Sequence, residues 1–311
     1  MSTYAEAVTL RPVAERTDYR KPSRFREAGI AIALTGVALA VVALIANVVV
    51  ADSSAADRAE TTAWTFGLGA TAFATVMTGI AAILTGILVR LWLRVESVKT
   101  GLSHLRPRAE GDGTEVGDVD TPYGPATVTR TAPEPLLIHR VAERMWAPML
   151  AMGPMVVVAG LVLSVVQSGE TNPETVTDLA AWVQGGQFLG LAMILGGISF
   201  LLGSILSSLR KGGAEVQEAL GVTVKTLKMP ASAKAFVALM AIGVMLAVAQ
   251  FVLYGVAAGS STPEEWFAWL GPVREASVGI ILTGVVLALY TIGTVLGFQF
   301  DRLKQIVATG R

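Results

Sequence analysis

The sequence predicts an all-α integral membrane protein with six transmembrane helices, paired as three helical hairpins that suggest a parallel threefold internal repeat. Three observations carry this expectation. Six stretches without a single Asp, Glu, Lys, Arg or His cover residues 28–51, 61–89, 145–169, 179–209, 235–263 and 276–300. Each can cross a hydrocarbon core of about 30 Å at about 1.5 Å per residue. The basic residues then sort to one side. With the N-terminus inside, the inner segments hold 22 of the 24 Lys and Arg but 15 of the 24 acids, leaving Arg58, Arg274 and nine acids outside. Lys and Arg mark cytoplasmic loops, so both termini are expected in the cytoplasm. Finally, the polar–apolar alternation that barrel strands of about ten residues require is missing.

The elements follow in order. Residues 1–27 are polar and mixed in charge and form a cytoplasmic N-terminal segment. The first apolar stretch exceeds the about 7–15 residues of a signal-peptide core, so it reads as a retained helix. Hairpin one occupies 28–94. The cytoplasmic connection 95–144 follows, and its middle, 109–135, is rich in Gly, Pro, Thr and acid. That middle reads as a linker with too little apolar content to fold alone. Amphipathic pieces flank it at 95–105 and 136–145. Hairpin two occupies 145–210. A second cytoplasmic connection, 211–234, carries an amphipathic piece at 215–227. Hairpin three occupies 235–300, and 301–311 is a cytoplasmic C-terminus.

The hairpins rhyme. Ala63-Trp64 and Gly79 recur 118 residues later as Ala181-Trp182 and Gly197, and 205 residues later as Ala268-Trp269 and Gly284. On the outgoing helices Gly36, Gly153 and Gly243 correspond at shifts of 117 and 207. All three hairpins point the same way, so the repeat relates them about an axis along the membrane normal. Trp64, Trp182 and Trp269 either ring an outer vestibule or belong to an aromatic belt at headgroup depth, the ordinary role of interfacial tryptophan.

Charge is absent from the span interiors, and that bears on chemistry. Pumps and ion-coupled carriers keep an intramembrane ionisable group although it costs several kcal/mol, because coupling needs it. There are no cysteines, and the two histidines, His104 and His139, both lie in the first cytoplasmic connection. No catalytic, cofactor-binding or metal-ligating residue is therefore assigned, and no cofactor is expected. Serine-hydrolase, zincin and phosphate-loop motifs are missing too. The linker acids Asp112, Glu115, Asp118 and Asp120 lack the spacing of a calcium loop.

What remains is packing and neutral polarity. Ala70, Ala74, Thr78, Ala82 and Gly86 recur at intervals of four, and Gly186/Gly190 and Gly293/Gly297 form GxxxG steps. Such small residues let helix backbones approach closely. Gln184 and Gln187 are three apart on one helix, and Gln250 pairs with Tyr254 four residues on. These groups either hydrogen-bond between helices or line a polar path. His139, Arg140 and Arg144 lie on an amphipathic piece suited to docking a partner.

The expected function is that of a non-catalytic structural or accessory subunit of a larger membrane complex. Its partners would be membrane lipids and other subunits or copies of itself, and not nucleic acid. A channel or carrier for a neutral solute is the first alternative. Binding of a lipophilic ligand such as a quinone, carotenoid or lipid is the second. The Ala- and Arg-rich usage suggests a bacterial inner membrane.

The charge sorting makes a direct prediction. Cysteines introduced at Asp57, Asn172 or Ser261 should react with an impermeant maleimide in intact spheroplasts. Those at Ser23, Asp118, Thr223 or Thr309 should react only after lysis. Labelling of Asp118→Cys in intact cells would overturn the six-span topology.

Overall fold

A computed structural model describes residues 20–51, 53–102, 116–134 and 136–309. Six helices are long and apolar enough to cross a membrane: α1 (Arg20–Val49), α2 (Ala55–Leu102), α3 (Leu137–Ser168), α4 (Pro173–Ala219), α5 (Ala231–Ala258) and α6 (Pro263–Thr309). The odd helices have 28 to 32 residues and the even ones 47 or 48. At about 1.5 Å per residue the even helices reach about 70 Å, more than twice a hydrocarbon core.

Local chemistry sets the ends of α4. Asn172 caps its start by accepting the Glu174 N–H at 3.1 Å, with Pro173 at the first position and Glu174 in the first turn. An acceptor, a residue without an N–H and a negative charge all suit a helix N-terminus. At the other end Gly221 adopts φ +69°. There the Gly221 N–H bonds the Glu218 carbonyl and the Val222 N–H bonds the Gln217 carbonyl. This is the paired-bond stop that a left-handed glycine permits.

α4 is the centre of the molecule. Its most apolar window is 67% buried, against 17–33% for the other five helices. It packs on α2, α3, α5 and α6, whereas α1 rests on α2 alone. Among the described residues the α6 backbone comes near neither α1 nor α2, although the Arg274 guanidinium of α6 lies over the Phe66 ring of α2 at 5.8 Å, so the helix backbones form an open arc around α4. The outward faces of α1 and α3 are lined with exposed Leu, Val, Ile and Met, as lipid contact requires.

The expected all-α class needs one correction. The segment read as a linker folds into strands β1 (Gly117–Thr121) and β2 (Gly124–Thr129), and the piece read as amphipathic after α4 contains β3 (Val224–Leu227). The three form an antiparallel sheet in the order β1-β2-β3. Residues 109–135 have too little apolar content to fold alone, but β2 within them pairs with β3. Ala126, Val128 and Val224 are at 0% exposure, and Ala126 clusters with Leu227, Val295 and Phe298. His104, Asp112 and Glu115 lie outside the described residues.

The sheet is locked onto the ends of α4 and α6. Tyr123, at the β1–β2 turn, sets its ring edge-on to Phe298 and donates its hydroxyl to Asp301 at 2.6 Å. That bond holds the phenol protonated and raises its pKa. The Tyr123 ring lies where a Cβ on Gly297 would be. Behind it, Gln217 is buried and brackets β3, accepting the Lys225 N–H at 2.9 Å and donating to the Lys225 carbonyl at 3.1 Å. Arg302, 9% exposed, donates from Nε to Gln217 at 3.1 Å and from Nη2 to the Thr223 carbonyl at 2.9 Å.

Removing one member of this buried set strands the others. Gln217→Ala should destabilise the protein by about 1–3 kcal/mol, the cost of unsatisfied buried polar groups. The check is a thermal melt in detergent, with exposed Lys304→Ala as a variant expected to shift it far less.

Candidate ligand-binding site

α3 and α5 both pack on or beside α4, yet their backbones do not meet among the described residues. The gap between them is a cavity of about 550 Å³ at the sheet end of the bundle. That volume falls in the range of about 300–1,000 Å³ typical of small-molecule sites. Its walls are apolar, with Phe200 from α4 and Phe236, Met240 and Val244 from α5. The polar hydroxyls inside are already bonded: Ser199 to the Leu195 carbonyl, and Thr291 to the Leu287 carbonyl and to Ser232.

The sheet builds one end of this cavity. Leu227, Lys228, Met229 and Pro230 leave β3 and enter α5 along its rim. The Lys228 N–H bonds the Pro125 carbonyl at 2.9 Å, and its ammonium pairs with Asp118 at 2.5 Å. The hydrogen bond from Lys228 lowers the Asp118 pKa. His139 from α3, Arg210 from α4 and Gln299 from α6 complete the polar rim. Arg210 Nε is shut off from solvent and finds no acceptor among the described residues. Ser207, one turn away, donates to Glu143 at 3.1 Å.

The residues singled out from the sequence scatter around this site. His139 lines it half-buried, while Arg140 and Arg144 are exposed on the same helix. Gln184 and Gln187 do not share a partner: Gln184 accepts from the Tyr254 hydroxyl at 3.5 Å, whereas Gln187 packs on Gly160 and beside Gly67. Both amide atoms of Gln187 and of Gln250 are buried without a partner among the described residues. Trp182 meets Phe251 and Trp269 meets Trp266 at 6.1 and 5.7 Å. Trp64 is half-buried near the start of α2, and no ring contact joins the three tryptophans among the described residues.

The small-residue stripe on α2 is not one face. Steps of four advance about 40° beyond a full turn each, so the stripe winds around the helix. Ala74 and Gly86 are buried, and Ala70, Thr78 and Ala82 half-buried. The contact with α1 is made instead by Ala72, Val76, Gly79 and Ile83, against Gly36 and Gly29. Of the GxxxG steps, Gly190 packs on the Gly153 carbonyl and Gly297 receives Tyr123, whereas Gly186 and Gly293 face open space.

The cavity was not legible in the sequence, because its wall residues are ordinary apolar side chains from four elements. One signal was present. Arg210 immediately ends an uncharged stretch, where a basic group can meet the headgroup layer. No family model, curated protein or solved structure matches the chain. The class rests on the chain itself: six helices of membrane-spanning length and hydropathy mark a multi-pass membrane protein.

The glycine contacts generate a prediction. Gly36→Leu, Gly153→Leu and Gly243→Leu should each lower stability by about 1–3 kcal/mol, the usual cost of overpacking. Gly69→Leu, with nothing within 4 Å of its Cβ position, should be tolerated. Melting temperatures of the four purified variants decide it.

Proposed function

We propose that this protein binds a lipophilic membrane ligand in the cavity between α3 and α5. The observation that carries the reading is the cavity itself, apolar along its length and polar at one rim. It offers no metal cluster among the described residues and no charged group deep in its walls. An apolar molecule entering it exchanges lipid for fitted side chains, and the rim groups orient it.

The expectation of an accessory subunit rested on motifs that were missing and on abundant small-residue packing faces, whereas the cavity is a built site, and it moves the preferred reading to ligand binding. A solute path encircled by three hairpins is disfavoured because α4, packed on α2, α3, α5 and α6, occupies the middle. On the proposed topology the sheet end is cytoplasmic and the membrane is a bacterial inner membrane. The positive-inside sorting supports the first, and the Ala- and Arg-rich usage supports the second.

The three-hairpin repeat belongs to this reading as well, and the glycine contacts favour it. Gly36 meets Val76, Gly153 meets Ile194, and Gly243 meets Ile281. Gly79 meets Ala33, Gly197 meets Leu150, and Gly284 meets Met240. These partners stand at the same shifts, 118 and 205 for returning helices and 117 and 207 for outgoing ones, that relate the glycines themselves.

The test is to fill the cavity. Ala241 lines it and is exposed to it. Ala241→Trp should cut the lipophilic material recovered by solvent extraction of the purified protein at least about twofold, since one indole takes a large share of such a volume. Equal recovery from wild type and variant, by mass spectrometry, would sink the reading.

A further inference from the structure

We infer that the occupant is an anionic phospholipid, with an acyl chain along the cavity and its phosphate on Arg210. This rests on the ligand-binding reading above and names the class of ligand. Depth is the first argument. The cavity runs from Arg210 to Ser199 along α4, eleven residues. At about 1.5 Å per residue that is about 16 Å, half of a hydrocarbon core of about 30 Å. A molecule anchored at one rim and reaching the bilayer midplane has the span of one leaflet.

Charge is the second argument. Arg210 carries a guanidinium at the rim, and its Nε is buried without an acceptor among the described residues. Buried arginine nitrogens are ordinarily satisfied, and a phosphate offers the planar fork two oxygens at once. The other titratable groups around it are accounted for. Lys228 is held by Asp118, Lys211 by Glu215, and exposed Glu143 accepts from Ser207. His139 lines both the cavity and a small adjoining pocket that Glu134, Lys211 and Arg210 share. Within this ring Arg210 is the charge that no acid takes up among the described residues. Basic pockets between membrane helices on the cytoplasmic side suit anionic headgroups.

The third argument is the apolar wall. Ile138 and Val141 of α3 face Phe236 and Met240 of α5 across the cavity. They leave no polar lining that a soluble phosphate compound would need beyond the rim.

The full chain, purified in mild detergent and stripped of lipid, is titrated with phosphatidylglycerol, with phosphatidylcholine of the same acyl chains, and with oleate. Binding is read by native mass spectrometry and by thermal shift. Both lipids carry the phosphate, but the choline ammonium offsets its charge beside Arg210, so wild type should favour phosphatidylglycerol over phosphatidylcholine by about tenfold. Arg210→Gln should bring the two lipids level, and Arg210→Lys should keep part of the preference. Arg24→Gln, which removes an exposed charge on α1 away from the cavity, should keep all of it. Equal binding of both phospholipids by wild type would overturn the anionic-lipid assignment. If Ala241→Trp still abolished binding in that case, the ligand-binding reading would stand alone. Arg210-dependent binding of oleate as tight as that of phosphatidylglycerol would overturn the phospholipid and assign a free fatty acid. Undiminished binding of every lipid by Ala241→Trp would overturn the cavity as the site and both readings with it.

Discussion

Each sequential helix pair of this protein closes at glycine, backbone to backbone in α1–α2 and α3–α4 and around the Ile281 side chain in α5–α6, and the rest of the arrangement is built on those meetings. In lipid, apolar side chains gain little by leaving one hydrocarbon environment for another, so association draws on close dispersion contact. Gly29 and Gly79 each lie against the other's carbonyl, and Gly153 and Gly190 do the same. Gly243 lies against Ile281. Where backbones touch, side chains at other heights must fill the remaining space. α4 receives most of them, which is why Ile194, Leu195, Leu201 and Leu202 are almost fully buried within a helix that the sequence presents as one apolar stretch among six.

The cavity follows from that centrality. Two helices seated on neighbouring flanks of α4 leave a cleft unless a third fills it, and among the described residues no element does so at the sheet end. Instead the sheet closes one end of the cleft. Gln217 and Arg302 hold β3, β3 holds the hairpin of β1 and β2, and the chain leaving β3 supplies Lys228 and Pro230 to the rim. Buried networks of this kind stabilise only when every member is satisfied, and this one is nearly complete. The rim and the scaffold are thus one structure, so changes to the sheet should be felt at the site.

Polarity is distributed with the same economy. Hydroxyls along the spans donate mostly to carbonyls one turn back, as Thr71, Thr75, Thr78 and Thr85 do in α2. They cost little in lipid because their hydrogen bonds are met within the helix. The exceptions are Gln187 and Gln250, buried with open amides, and Arg210 at the cavity rim. Unsatisfied groups of this sort mark places where a further molecule would be welcome, a water in the first case and an anion in the second.

The sequence by itself determined the six helices, because uncharged stretches of more than twenty residues have few alternatives to a helix in a bilayer. It also singled out Gly36, Gly153 and Gly243, and Gly79, Gly197 and Gly284, each of which lies against a neighbouring helix. It did not reveal the sheet: strands of four to six residues rich in Thr, Gly and Pro carry a weak period-two signal. In TPYGPATVT, Ala126 and Val128 alternate with Thr127 and Thr129, but the partner strand lies almost a hundred residues away, beyond two helices. Tertiary structure alone decided which face each residue took. Gln184 and Gln187 part company because three residues on a helix leave about 60° between them, enough at the crowded centre of α4 to aim one at α5 and the other at α3. The cavity and its arginine were decided the same way, since a void belongs to no segment and exists only once four elements and the sheet have packed around it.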